Sequence, residues 1–157
     1  MILKLRERMA NREEGFTLVE LLVFMLIIGI LAAIAIPAFF NQRDKAKDAG
    51  AKEMAHTAQV AMETYATDNG GTYQNVTPAK LAAIENSIQT AGTSAYLSAA
   101  ASQGATFKGW TLTVTSPSTT NTFTIARDAA TGALSFTCGP VANQGTGGCP
   151  AGGNWTG

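Results

Sequence analysis

The sequence predicts an α+β chain: one long N-terminal helix lying on a small antiparallel sheet that is closed by a cysteine-bearing tail. Three observations predict it. Residues 21–40 run for twenty positions without a Lys, Arg, Asp or Glu. Ala51, Met54, Ala55, Ala58, Ala61, Met62 and Tyr65 then recur at three- and four-residue spacing, which places one narrow apolar stripe on a helix. Further on the period changes to two, with Trp110, Leu112 and Val114 alternating with threonines, then Phe123 and Ile125, then Leu134 and Phe136.

Residues 1–15 set Lys4, Arg6, Arg8 and Arg12 against Glu7, Glu13 and Glu14 with no hydrophobic period, so they read as a leader. The helix is expected from Phe16 to about Thr67. Its twenty apolar residues, at about 1.5 Å each, span roughly 30 Å, the hydrocarbon thickness of a bilayer. Glu20 stands at the mouth of that stretch, where a carboxylate is costly without a specific partner, and this makes it the candidate functional residue. Gly29 and Pro37 interrupt the stretch. Proline removes a backbone donor and clashes one turn back, so a kink or weak point is expected near Ile34–Pro37. The second half carries charges beside its alanine-rich stripe, and Asp48 with Lys52 reads as a favourable i,i+4 pair. Asn69-Gly70-Gly71 supplies the left-handed residues that end a helix.

Thr77-Pro78 reads as an N-cap with proline at the first helical position, opening a short helix from Pro78 to about Ser87. Residues 89–105 read as a connecting loop. Three strands follow as a meander, joined by a Pro/Ser/Asn turn and an Asp/Gly turn. Seven of the last nineteen residues are glycine, so the tail is expected to lack a core and to depend on its cysteines for order. On the outer side of a membrane Cys138 and Cys149 would form a disulfide, with two free thiols as the alternative. Two thiols with no histidine nearby are too few for a zinc site, so no metal is expected.

The 11 basic and 11 acidic residues balance, which argues against a nucleic-acid surface. A single histidine, His56, gives no support to a hydrolase triad, and the glycines near 145–148 lack the lysine and the strand-to-helix setting of a phosphate loop. No catalytic or cofactor-binding residues are expected.

The run Gly15-Phe16-Thr17-Leu18-Val19-Glu20-Leu21-Leu22, followed by an apolar helix containing Pro37, resembles the prepilin signature of type IV pilins and type II secretion pseudopilins. The match covers about residues 8–40, and the layout beyond it resembles the type IV pilin fold. The resemblance implies three parts: a leader over 1–15, a transmembrane or filament-core helix over 16–40, and a globular domain over 41–157. It implies cleavage between Gly15 and Phe16 by a prepilin peptidase, methylation of the new Phe16 amine, and pairing of Glu20 with that amine on a neighbouring subunit. Gly29 and Pro37 would let the helix bend or melt as assembly machinery draws it out of membrane lipid. The expected product is a structural protein rather than an enzyme. It would be held in the cytoplasmic membrane as a precursor and then become a homo-oligomeric extracellular pilus. A pseudopilin of a type II secretion system is the alternative, and a minor pilin in DNA uptake or adhesion a third. Asp128 is the only acid after Glu85, so the acidic calcium-binding loop of many major pseudopilins is not evident. Glu13 and Glu14 depart from the basic residues often found before the cleavage glycine. An ordinary signal peptide ending near Ala33-Ile34-Ala35, or a plain anchor, leaves the position of Glu20 unexplained.

Overall fold

A computed structural model describes residues 15–156, so the expected leader lies outside the described residues except for Gly15. The chain divides into two compact units between Phe39 and Phe40. Helix α1, Leu18–Asp68, contributes to both. In the first unit it is apolar all round from Leu21 onward, nearly all its side chains are exposed, and it is long and apolar enough to cross a membrane. Pro37 lies inside α1 and offers no N–H to the carbonyl of Ala33.

In the second unit Ala51, Ala55, Ala58, Ala61, Met62 and Tyr65 of α1 are buried along one stripe. The helix stops where the glycines demand it. Gly70 and Gly71 take φ of 65° and 77°, and the Gly71 N–H donates to the Ala66 carbonyl at 2.8 Å, closing the last turn. Helix α2, Pro78–Ile84, opens on Thr77, whose side chain accepts the Lys80 N–H at 3.4 Å. It ends before Ser87, whose N–H turns to the Glu85 carboxylate at 3.1 Å instead of continuing the helix.

The sheet has four strands in sequence order, all antiparallel: β1 Tyr96–Gln103, β2 Gly109–Ser116, β3 Asn121–Arg127 and β4 Leu134–Gly139. This corrects the expected three-stranded sheet, because residues 96–103 are a strand and not part of a connecting loop. Only Leu97 and Ala100 of β1 are buried, so the local apolar signal is weak. Pairing along β2, from Tyr96 with Thr115 to Gln103 with Gly109, makes the strand.

Trp110, Leu112 and Val114 on β2 and Phe123 and Ile125 on β3 are fully buried and share one core with the α1 stripe. Across the strands Leu112 faces Ile125, and Val114 faces Phe123. The helix side of this core is mostly alanine, and the bulk comes from the sheet. Each of these large side chains stabilises by about 2 kcal/mol when buried, which together exceeds the ~3 kcal/mol expected of a disulfide closing about a dozen residues. The core, rather than the cysteine clasp, is therefore the main support of the fold. A 3-10 turn at Val141–Asn143 lies within the loop closed by the Cys138–Cys149 disulfide.

Candidate functional site

The candidate site in the first unit is built by the start of α1. Gly15, Phe16 and Thr17 are outside the helix, and α1 begins at Leu18. Thr17 therefore stands at the N-cap and Glu20 three residues on, the spacing of a capping box. The Glu20 N–H donates to Thr17 Oγ1 at 3.2 Å, and Thr17 Oγ1 lies 3.4 Å from Glu20 Oε2. A carboxylate in the first turn also meets the positive end of the helix dipole. Local capping thus explains part of why an acid is tolerated here. It does not explain the surroundings: Glu20 is exposed among Phe16, Leu21, Phe24 and Ile27, all exposed as well. Among the described residues Thr17 is its hydrogen-bonding partner, and no cation stands beside it. Gly29 has open space where a Cβ would be, so packing inside this chain does not demand glycine there.

The second unit holds a carboxylate that the sequence reading placed wrongly. Asp48 is fully buried. Its oxygens accept from the Thr119 hydroxyl at 2.5 Å, the Asn121 side-chain amide at 2.6 Å and the Gly148 N–H at 2.8 Å. A Cβ on Gly148 would come within 2.6 Å of the Asp48 Cβ, so the tail approaches the helix as closely as glycine allows. The expected Asp48–Lys52 pair gives way to two separate arrangements, because the Lys52 ammonium lies 5.4 Å over the Phe123 ring and 5.7 Å over that of Trp155. One signal was available: Asp48 precedes Ala51 by three residues and Ala55 by seven, so it stands on the buried stripe.

The tail is more ordered than its glycines suggest. Trp155 is 2% exposed and its indole N–H donates to the Thr137 carbonyl at 2.7 Å. Its ring meets Phe123, Phe136 and His56 edge-on, with centroids 5.4 to 5.6 Å away. His56 is thus an exposed histidine resting on aromatic rings. Elsewhere Tyr73 donates to Glu63 at 2.7 Å, and Arg127 Nη1 reaches both Glu63 and the Tyr73 oxygen at 3.0 to 3.2 Å. Burial pushes the Tyr73 hydroxyl above the ordinary tyrosine range, and the Glu63 carboxylate adds to the effect. These contacts tie helix to sheet. Among the described residues no group of three or more His, Cys, Asp or Glu is placed to hold a metal ion.

Residues 10–36 match the family model described as the prokaryotic N-terminal methylation motif. The chain is 38% identical over 59 residues to type II secretion system core protein G of Pseudomonas aeruginosa, covering 38% of this chain and 42% of that protein. It is 33% identical over 81 residues to the type IV major pilin protein PilE1 of Neisseria gonorrhoeae, covering 52% of this chain and 49% of the relative. Fimbrial protein EcpC of Eikenella corrodens is 32% identical over 104 residues, which is 62% of this chain and 68% of that protein. The chain belongs to the type IV pilin and type II secretion pseudopilin family. It spans about half or less of the length of the first two relatives. A match covering 62% of the chain cannot be confined to the residues up to Asp68, so the fimbrial likeness reaches into the sheet-bearing part of the pilin fold. No solved structure matches the chain.

Proposed function

We propose that this protein is a structural subunit of a type IV pilus, made as a precursor with a leader over residues 1–15. Prepilin peptidase cleaves between Gly15 and Phe16 and the Phe16 amine is methylated. Until assembly the apolar helix rests in the cytoplasmic membrane. Assembly then exchanges lipid for neighbouring helices, so about twenty apolar residues never meet water. Gly29 and Pro37 are the points at which α1 yields during that transfer. The finished product is an extracellular homo-oligomeric filament.

The observation that carries this reading is Glu20, an exposed acid on a helix with no other charge from Leu21 to Phe40. Such an anion is tolerated in an apolar bundle when a cation neutralises it, and cleavage after Gly15 creates a cation at Phe16. Pairing between the two on adjacent copies would set the axial register. A second reading, a pseudopilin of a type II secretion system, draws on the 38% identity to core protein G. The pilus is favoured because the fimbrial match extends beyond the helix.

Mass spectrometry of the membrane-extracted protein tests the processing. The expected first residue is a methylated Phe16; an intact Met1, or a start after Ala35, overturns it. Electron microscopy of sheared cells separates the two readings, since long surface filaments containing this subunit are expected of a pilus and not of a secretion piston.

A further inference from the structure

We propose that the outer edge of β1 is a self-pairing surface through which copies of this chain in neighbouring filaments join their sheets. The inference rests on the filament reading above. The chain treats its two sheet edges differently. Along β4 the tail supplies a partner: the Cys138 N–H donates to the Gly153 carbonyl at 2.7 Å, the Trp155 N–H to the Phe136 carbonyl at 3.3 Å, and Thr137 bridges Asn154. Along β1 the Leu97 N–H donates to the Gln89 carbonyl at 2.7 Å, and among the described residues 98–103 make no backbone bond outside the β2 ladder.

Sheet edges are ordinarily guarded by charge, proline or a bulge, because an open edge is a template for another strand. β1 has a bulge between Leu97 and Ala99, after which residues 99–103 pair regularly with β2. No Lys, Arg, Asp, Glu or Pro occurs anywhere from 86 to 107. Ala99 and Ala101 are exposed and small, so an approaching strand meets neither bulk nor charge.

A second copy of β1 fits this edge. An antiparallel strand pair is self-complementary, with each residue meeting its symmetry mate across a two-fold axis. Two uncharged edges suffer no repulsion, whereas a charged partner would find no opposite charge to meet. Symmetry then fixes where the contact can form. Subunits within a polar filament are related by rotation and translation, so their contacts are heterologous. A two-fold contact therefore joins separate filaments. A single five-residue pairing is weak, but repetition along two filaments makes it avid.

A symmetric pairing of residues 99–103 centres on Ala101. Wild-type filaments should lie side by side in electron micrographs. Ala101→Lys filaments should form in equal number and length but stay single at low salt, because two ammonium groups face each other at the axis. Mixing them with Ala101→Glu filaments should restore bundles containing both. Single wild-type filaments, undiminished bundling of Ala101→Lys, or a mixture that stays apart overturns the proposal. Absence of filaments would count against the filament reading, and the edge is then tested by itself. In the detergent-extracted full chain Ala101→Cys should oxidise to a disulfide-linked dimer, while Val60→Cys, also exposed, should not. Equal dimer from both, or none from Ala101→Cys, overturns self-pairing.

Discussion

Glu20 and Asp48 are carboxylates on one helix, and neither has an ion-pair partner among the described residues. Their surroundings are opposite. Asp48 is sealed from water, yet a hydroxyl, a side-chain amide and a backbone N–H meet its oxygens, so its charge is dispersed within the chain. Glu20 lies open, with a threonine as its hydrogen-bond partner and apolar side chains around it. The buried acid is internally complete and closes the fold. The exposed acid has only its local cap, and the proposed filament would supply the cation that this chain does not place beside it.

The largest effect expected from breaking this contrast is at Glu20. On the proposed pairing of Glu20 with a neighbouring Phe16 amine, removing one partner of a pair buried in an apolar bundle costs about 3 kcal/mol or more, a factor above ~100 in an assembly equilibrium. Glu20→Ala should therefore abolish filaments in shear preparations while leaving cleavage after Gly15 and the thermal unfolding of the sheet-bearing unit unchanged. Normal filaments from this variant would remove Glu20 from the mechanism.

Asp48 should behave in the opposite way. Asp48→Ala strands three donors, that of Asn121 buried and those of Thr119 and Gly148 partly so, at a cost of about 3 kcal/mol, or a fall in Tm on the order of 10 °C for a domain of this size. Asp48→Asn keeps one acceptor oxygen and should lose about half as much. Calorimetry of the extracted chain reads both; an unchanged Tm for Asp48→Ala would show that the tail does not depend on this carboxylate.

Asp128 sharpens the comparison, because it is an exposed acid that nevertheless finds its partners locally. Its Oδ1 accepts from the Thr131 N–H at 2.7 Å, the Thr131 hydroxyl at 2.8 Å and the Ala130 N–H at 3.0 Å. The Thr131 N–H is the main reason its carboxyl titrates below the ordinary aspartate range. A lowered folded-state pKa means that the ordering of the β3–β4 turn is fully present above the unfolded aspartate's pKa. That ordering is lost only as pH falls through the lower folded value. Following the Thr131 amide by NMR as acid is added should show that low midpoint, and Asp128→Ala should abolish the transition. The effect is the smallest of the three, since the turn lies at the surface.

Much of the architecture was legible because it rests on local rules. Helix α1 and strands β2 to β4 announce themselves by period, and the glycines at 70 and 71 stop a helix in any context. β1 was not legible, since alanine and serine carry little strand signal and the strand exists through its pairing with β2. Trp155, in a glycine-rich tail, gave no local hint that it would be buried against Phe123 and Phe136. The tail therefore owes its order to this packing and to Asp48 as well as to the disulfide.

By itself the sequence determined that a charge-free helix follows a cleavable-looking glycine and carries one acid out of keeping with it. That is a matter of composition and spacing along the chain. Only the tertiary structure decided what Asp48 does. On a helix an aspartate four residues before a lysine reads as a solvated pair, and its place on the alanine stripe hints at burial without saying which groups would meet it. The donors that instead enclose it come from residues 71, 73 and 100 positions away, and bringing such distant groups to one carboxylate is the work of the folded chain.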